Sequence, residues 1–292
     1  MRVIIAIAAI FLCIGLVALQ FKVSGVIFEL FFGFSGFYAV LVSAGIVITY
    51  SAFGGIKAVT FTDIIQFFTF GTIIPILSLI ICGTLSDPTK IFTTITENPL
   101  FDYKEVFDIY NLRFINSAFL LLFFLIPDFQ PVFFQRAMMA RNPRQIRDSF
   151  TIAGVVCLVL LLVITWVGIL LLADDPTLDP NNLLAHIILS YGYPGLKGLT
   201  AIGIMSIIMS SADSYINSAA VLFTNDIFNP FKRKRMSSYN ELNLSRFFSV
   251  FVGVIAFFLA FKASSILNLL ICFKLLYSCC NRSIVTCHIW IS

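Results

Sequence analysis

The chain has 292 residues, of which 59% are hydrophobic, 33 are phenylalanine and only 12% are charged, and its formal net charge is +4. With a mean hydropathy of +0.99, this composition exceeds what a soluble core buries and predicts a protein that crosses the membrane several times. The sequence has two histidines in no metal-ligand spacing, no glycine-rich phosphate loop and no nucleophile elbow, so the common enzyme signatures are absent. We therefore predict a transport function, with no enzymatic activity, no cofactor and no nucleic-acid partner.

A membrane-spanning helix needs about 20 largely apolar residues, and the chain can be divided into such runs. In chain order the predicted spans are Val3–Gln20, Phe34–Phe53, Phe61–Gly83, Phe114–Phe134, Ser149–Ala173, Leu199–Phe223, Phe247–Phe261 and Ser264–Leu276. The last two are short, so the predicted fold class is an all-α polytopic membrane protein with about seven or eight transmembrane helices. The first run has the basic start and apolar stretch of a signal peptide, but its length and the spans that follow favour a membrane anchor.

Lysine and arginine residues fall mainly on one side of these spans. If Met1 is cytoplasmic, the basic segments Arg136–Arg147 and Lys232–Arg235 are cytoplasmic as well. Positive residues accumulate in cytoplasmic loops, so we predict a multi-pass protein of the plasma (inner) membrane with a cytoplasmic N-terminus. Lys232–Arg235 could instead bind lipid or nucleic acid, but its place beside a span favours the topological interpretation.

The sixth predicted span carries polar residues near the middle of the bilayer. Ser206, Ser210, Asp213, Ser214 and Asn217 follow the three- and four-residue spacing that places side chains on one helix face. A single serine in a membrane helix commonly serves close packing or bonds to its own backbone. An intramembrane carboxylate costs roughly 2.5 to 3.5 kcal/mol and marks an ion pathway or a functional partner. Hydroxyl oxygens beside a carboxylate can replace the water shell of a small cation, so the face as a whole is predicted to bind one.

A pair of glycines and a possible helix cap separate the second and third predicted spans. Gly54 and Gly55 allow a sharp turn where the second span ends. Thr62 and Asp63 precede the apolar run that begins at Ile64, where an N-cap belongs. Capping is favoured for this pair over direct participation in binding.

Two prolines interrupt the fourth predicted span. Pro127 and Pro131 each remove a backbone donor and clash with the preceding turn, so a kink with freed carbonyls is expected around Asp128 and Gln130. Transporters commonly bind substrate and ions at discontinuous helices. Asp128 and Gln130 are therefore candidates for a substrate or ion pathway, with a purely structural kink as the alternative.

Three collinear stretches resemble the sodium:solute symporter family. Met209–Asp226 (MSSADSYINSAAVLFTND) looks like the family's ion-site helix, Tyr50–Gln66 (YSAFGGIKAVTFTDIIQ) is similar to its signature loop, and Gln130–Phe150 (QPVFFQRAMMARNPRQIRDSF) resembles its cytoplasmic segment. The resemblance implies a partial inverted-repeat fold in residues 1–270, with sodium as the coupling ion. It also implies that the Ser210 and Ser211 side chains and the Ile207 backbone carbonyl bind sodium. The family takes its remaining sodium oxygens from an unwound helix near the N-terminus, which is not recognisable here.

The resemblance also bears on the solute. Sugar-transporting relatives carry polar residues where this chain reads FFLI (Phe123–Ile126) and VVCLVLLL (Val155–Leu162), and a sugar's hydroxyls are costly to bury unmatched. Another small organic solute fits better, and an amino acid such as proline is predicted, carried by alternating access.

The composition changes after Leu270. Residues 271–292 hold four of the seven cysteines, and this atypical tail resembles translation out of frame. We therefore expect a truncated family member that does not transport by itself. For function, sodium-coupled symport is predicted, and the alternative to symport is an inactive truncated remnant, or a structural or sensor module of the membrane that derives from such a symporter.

Overall fold

The described part of the chain is helical. The computed structural model describes residues 2–85, 88–102, 110–111, 114–116, 118–119, 122, 130–178, 187, 194–231 and 237–262, and no β-strand occurs among them. The α-helices are α1 (Arg2–Phe32), α2 (Gly36–Thr84), α3 (Pro88–Glu97), α4 (Pro131–Met138), α5 (Pro143–Asp174), α6 (Pro194–Leu222) and α7 (Ser238–Lys262). A π-helical turn (Phe223–Phe228) extends α6, and 3-10 turns are formed by Pro99–Phe101 and Asn229–Phe231.

Six helical segments in this described part are long and apolar enough to cross a membrane. They are Arg2–Phe32, Gly36–Gly54, Val59–Thr84, Pro143–Asp174, Gly195–Phe228 and Ser238–Lys262. They match the first, second, third, fifth, sixth and seventh predicted spans, and the all-α polytopic class is confirmed. The fourth predicted span is described only in pieces, and the eighth lies outside the described residues, as does the tail at 271–292.

The chain divides into two compact units. The first contains Met1–Phe70, Gln130–Ala140 and Ala201–Ser292, and the second contains Gly71–Phe129 and Arg141–Thr200. The polar face of α6 and Gln130 therefore belong to the first unit.

Small side chains dominate the core of the first unit, which α1, the first part of α2, α6 and α7 build together. Its buried residues are Ile10, Cys13, Ile14, Val17, Ala18, Phe21, Val40, Ala44, Val47, Ala212, Ile216, Ala219, Ala220, Phe248, Val252, Ala256, Phe257 and Ala260. Seven of these are alanines. Lipid provides no hydrophobic drive for helix association, so membrane helices pack by the close backbone approach that small residues permit.

Two glycines mark the closest approaches in this core. A Cβ at Gly25 of α1 would collide with the Val40 side chain of α2, and a Cβ at Gly253 of α7 would collide with Ile48. Near the first of these contacts, the buried Ser24 hydroxyl donates a 2.8 Å hydrogen bond to the Ser43 hydroxyl. The first part of α2 is therefore held tightly between α1 and α7.

The second unit is more open. Helix α3 packs on α5, and Ile81 of α2 forms a small buried cluster with Val167 and Leu171 of α5. Only 6% of the apolar window of Val59–Thr84 and 11% of that of Pro143–Asp174 are buried. Apolar side chains that remain exposed on such spans suit contact with lipid.

The predicted N-cap at Thr62 and Asp63 is wrong, whereas the predicted turn after the second span is present as a bend in α2. Its helical hydrogen bonding continues through Gly54 and Gly55 to Thr84, so Thr62 and Asp63 lie inside the helix and do not cap it. The Tyr50 and Thr62 hydroxyls are nevertheless hydrogen-bonded, although 12 residues of straight helix would separate them by about 18 Å. The helix therefore bends sharply between them, at the glycine pair, where the missing side chains make bending easy.

The start of α1 contacts the end of α6. The Arg2 guanidinium donates to Asp226 Oδ1 over 2.5 Å, and to the Asn225 carbonyl over 3.3 Å. The π-helical turn that carries Asp226 also packs against α1 and α7. Both helix ends consequently lie on the same side of the membrane, as the predicted topology requires.

Candidate functional site

The polar residues of α6 do not share one environment. Ser206 donates a 2.8 Å hydrogen bond to the Ile202 carbonyl of its own helix. This is the common behaviour of a serine in a membrane helix. The residues that follow bond instead to side chains of α2 and α4, so the site begins one turn further along α6.

An ion pair between Asp63 of α2 and Arg136 of α4 is the centre of the site. The Arg136 guanidinium donates to Asp63 Oδ2, to Ser214 Oγ over 2.9 Å and to Thr60 Oγ1 over 3.3 Å. The other carboxylate oxygen, Asp63 Oδ1, accepts a 2.7 Å hydrogen bond from Ser210 Oγ. A single half-buried carboxylate thus links Ser210, a predicted sodium ligand, to a guanidinium.

Asp213 lies on the buried side of the same helix. It is 0% exposed, and neither of its carboxylate oxygens has a hydrogen bond of normal geometry among the described residues, although the Ser214 backbone N–H and the Tyr50 hydroxyl approach the carboxylate. Asp63 and Arg136 act on it electrostatically. If both carboxylates are ionised, two negative charges face one guanidinium, and the site then carries one excess negative charge.

Asn217 lies one turn after Asp213 on the buried side of α6. Its Nδ2 donates to the Asp213 backbone carbonyl over 2.9 Å and lies 3.5 Å from Ser51 Oγ of α2. Asn217 therefore connects α6 to α2 and does not bond to the Asp213 carboxylate.

Helix α4 is joined to α6 by a row of hydrogen bonds that we call the α4–α6 seam. Tyr215 donates to Gln130 Oε1 over 3.1 Å, Ser218 donates to Gln135 Oε1 over 2.8 Å, and Arg136 donates to Ser214. Side chains within little more than one turn of α6 are thereby bonded to α4 and to Gln130, the residue that precedes it. The seam reaches from the Asp63 ion pair to the break that precedes α4.

That break lies where the prolines predict it. Gln130 has extended backbone (φ −67°, ψ 141°), and Pro131 occupies the first turn of α4, where its missing N–H has no helical partner to lose. The predicted interruption is therefore present at Gln130, as a helix start. Asp128, the other candidate at this break, lies outside the described residues.

The three groups expected to bind sodium lie within one turn of α6. Ser210, Ser211 and Ile207 are all half-buried. The Ser210 hydroxyl donates a hydrogen bond to Asp63. The lone pairs of the Ser210 oxygen therefore stay available to a cation. These oxygens, with the Asp63 carboxylate beside them, fit a small hard cation in chemical character.

Several site residues were missed as binding candidates in the sequence. The sequence predicts a capping role for Asp63, and Gln135 and Arg136 lie in a segment that it predicts to be cytoplasmic. The sequence does contain a signal for this ion pair, because Asp63 is a carboxylate inside a predicted span and Arg136 is a cation close to one. Charged groups at membrane depth pair with each other, and these two are close partners here.

Comparison with known proteins agrees with this architecture. Residues 1–290 match the sodium:solute symporter family, and the chain belongs to that family. It is thus a member of a transporter family and not an enzyme, as predicted. Among solved structures, a Na+-coupled sialic acid symporter in a substrate-bound outward-open state superposes with a TM-score of 0.77 at 19% identity, over 94% of this chain and 60% of that chain. This likeness shows the symporter fold.

Two curated relatives are choline transporters. The high-affinity choline transporter 1 of Drosophila melanogaster is 24% identical over 243 residues, and that of Caenorhabditis elegans is 25% identical over 267 residues. The matches cover 79% and 82% of this chain but only 38% and 44% of the relatives, so the chain spans less than half their length. The predicted amino-acid solute finds no support in these relatives.

Proposed function

We propose that this protein carries out sodium-coupled symport of a small organic solute. The observation that supports this most directly is the placement of Ser210 beside the Asp63 carboxylate, next to a buried Asp213 whose carboxylate has no hydrogen bond of normal geometry among the described residues. An uncompensated carboxylate is costly in a membrane. A bound sodium ion removes that cost, and the energy of the sodium gradient can then be coupled to the solute.

In this proposal Ser210 and Ser211 supply hydroxyl oxygens and Ile207 supplies its carbonyl. A hard cation takes about six oxygens, so these three form part of the shell. Asp63 and Asp213 provide negative charge beside it. Asn217, Ser214 and Ser206 support the helix face, and Ser206 is the member least involved because its hydrogen bond stays within α6.

For the solute we propose a small molecule with a positively charged nitrogen. Proline, the predicted solute, carries such a nitrogen, and so does choline, which two curated relatives are named as transporting. The 33 phenylalanines of the chain offer aromatic faces, which attract cationic nitrogens. Gln130, at the break before α4, and Asp128 are proposed to lie along the solute or ion pathway.

The test is uptake of radiolabelled choline and of radiolabelled proline into liposomes that contain the purified protein. In contrast to the expectation from the sequence that the chain does not transport by itself, we propose that an inward sodium gradient drives uptake of at least one of them and that an equal potassium gradient drives neither. Unlabelled choline, betaine and proline serve as competitors, with glucose as the matched control because it lacks a charged nitrogen. Uptake that is equal in potassium, or that glucose suppresses, would contradict the proposal.

A further inference from the structure

Arg136 has a place in the site that sodium binding alone does not require. Its guanidinium bonds to Asp63, Ser214 and Thr60 at once, and thereby joins two membrane-spanning helices to α4. The Asp63 carboxylate divides its oxygens, with Oδ2 taken by Arg136 and Oδ1 by Ser210. A cation on Ser210 and the guanidinium would share one carboxylate.

We propose, resting on the sodium site of the proposed function, that Arg136 is a tethered competitor of sodium for Asp63. When sodium is absent, the guanidinium holds Asp63 and keeps α4 against α6. When sodium binds at Ser210 and Ser211, it takes part of the negative charge of Asp63, and the hold of Arg136 weakens. Arg136 is in this sense a positioning residue that converts sodium binding into movement of α4.

The α4–α6 seam carries this effect to the break before α4. Arg136 and Gln135 are the seam residues on α4, and Gln130 is the seam residue that immediately precedes it. Because α4 has only eight residues, loosening one end of the seam also affects Gln130, where the solute is proposed to pass. Sodium occupancy would then be linked to solute access through this short helix.

Thermodynamic linkage between sodium binding and the Arg136–Asp63 ion pair fixes the sign of the effect that each has on the other. If sodium weakens the Arg136–Asp63 pair, then by thermodynamic reciprocity that pair must weaken sodium binding. Removing the guanidinium charge should therefore strengthen sodium binding, whereas damage to the site would weaken it. A purely structural role for Arg136 does not predict this gain.

The experiment compares the wild-type protein with Arg136→Gln and Arg136→Lys in lipid nanodiscs, with no solute added. We measure the half-saturating sodium concentration, with potassium at constant ionic strength, and hydrogen–deuterium exchange in peptides covering 131–138. Arg136→Gln should lower the half-saturating concentration about threefold or more, since a nearby positive charge is lost. Arg136→Lys keeps that charge and should stay within about twofold of the wild type.

Exchange reports the movement of α4 independently of affinity. In the wild type, sodium should speed exchange in 131–138. In Arg136→Gln, exchange should be fast at all sodium concentrations. The control Thr69→Val removes a hydroxyl that bonds within α2, to the Ile65 carbonyl, and should respond as the wild type does.

Arg136→Gln leaves Asp63 unpaired and can impair folding, so the double variant Asp63→Asn with Arg136→Gln is also measured. Its exchange should be fast and insensitive to sodium. The inference is wrong if Arg136→Gln binds sodium more weakly while remaining folded, if sodium binds to the wild type without changing exchange in 131–138, or if the double variant keeps the wild-type response. Absence of sodium binding by the folded wild type would instead refute the proposed function, and the inference with it.

Discussion

At the scale of single residues, Asp213 is the clearest case of a group whose role is not structural. The sequence shows a carboxylate inside a predicted span, and the structure adds that it is 0% exposed with no hydrogen bond of normal geometry to either oxygen in the described part of the chain. Asp63, in contrast, has a guanidinium and a hydroxyl as partners. Asp63 is therefore stabilised by its hydrogen-bond partners, whereas burial of Asp213 has a free-energy cost. Residue spacing in the sequence could not distinguish the two carboxylates, because the groups around each of them lie on other helices.

Replacing Asp213 with asparagine tests whether the buried carboxylate destabilises the protein. The substitution keeps the shape and removes any negative charge, so in sodium-free buffer the protein should become more stable, because a buried charge costs more than a buried neutral amide. The stabilisation that sodium confers on the wild type should shrink in this variant. Unfolding of the purified protein, with potassium replacing sodium, measures both effects.

The matched control for Asp213 is Asp148→Asn. Asp148 is exposed and pairs only with the neighbouring Arg147, so its replacement should change stability by no more than about 0.5 kcal/mol. A sodium-free Asp213→Asn protein less stable than the wild type would show that the carboxylate is satisfied in a way this account does not include.

At the scale of helices, apolar run length predicts where the spans lie but not how their ends are made. The first helix continues to Phe32, well beyond the predicted end at Gln20. The segment from Phe21 to Phe32 is mostly apolar, with Lys22 as its one basic residue, so it can continue the span. Thr62 and Asp63 have the residue types of a cap, yet α2 keeps its hydrogen bonding through the preceding bend. Local composition identifies the glycine bend, whereas only tertiary contacts with Arg136 and Ser210 decide what Asp63 does.

The close approach of α1 and α2 gives a prediction at this scale. A methyl group at Gly25 meets the Val40 side chain, so Gly25→Ala should destabilise the protein by about 1 to 3 kcal/mol, as overpacking of a tight interface does. Adding Val40→Ala should restore much of the loss, because the two changes share one contact. Thermal unfolding of the single and double variants measures this.

Gly45 is the control, since it is an exposed residue of α2 where an added methyl group would meet no neighbouring side chain within 4 Å. Gly45→Ala should be neutral, or stabilising by up to about 1 kcal/mol through helix propensity. Equal destabilisation by the Gly25 and Gly45 variants would indicate that glycine is needed for reasons other than helix approach.

At the scale of the whole molecule, the orientation in the membrane remains a prediction. The contact of Arg2 with Asp226 places the start of α1 and the end of α6 on one side, and the distribution of lysine and arginine assigns that side to the cytoplasm. The assignment also places the Ser237 region inside and the end of α3 outside.

Labelling of single added cysteines tests this orientation in intact cells. A membrane-impermeant thiol reagent should modify Glu97→Cys, an exposed position at the end of α3, and should not modify Ser237→Cys, which is also exposed. The parent chain, with its own seven cysteines, gives the background signal, and permeabilised cells give the control for reactivity. Labelling of Ser237→Cys in sealed cells, with none at Glu97→Cys, would reverse the topology.

We propose that sodium bound on α6 drives transport, and the sodium dependence of uptake in serine variants tests this proposal. Ser210→Ala and Ser211→Ala should each raise the sodium concentration for half-maximal uptake by about tenfold or more, since a lost hydrogen-bond or ligand oxygen of about 1.4 kcal/mol changes an equilibrium tenfold. Threonine at either position keeps the oxygen and should have a smaller effect, and Thr69→Val should match the wild type. Wild-type sodium dependence in both alanine variants, at equal expression, would contradict the account.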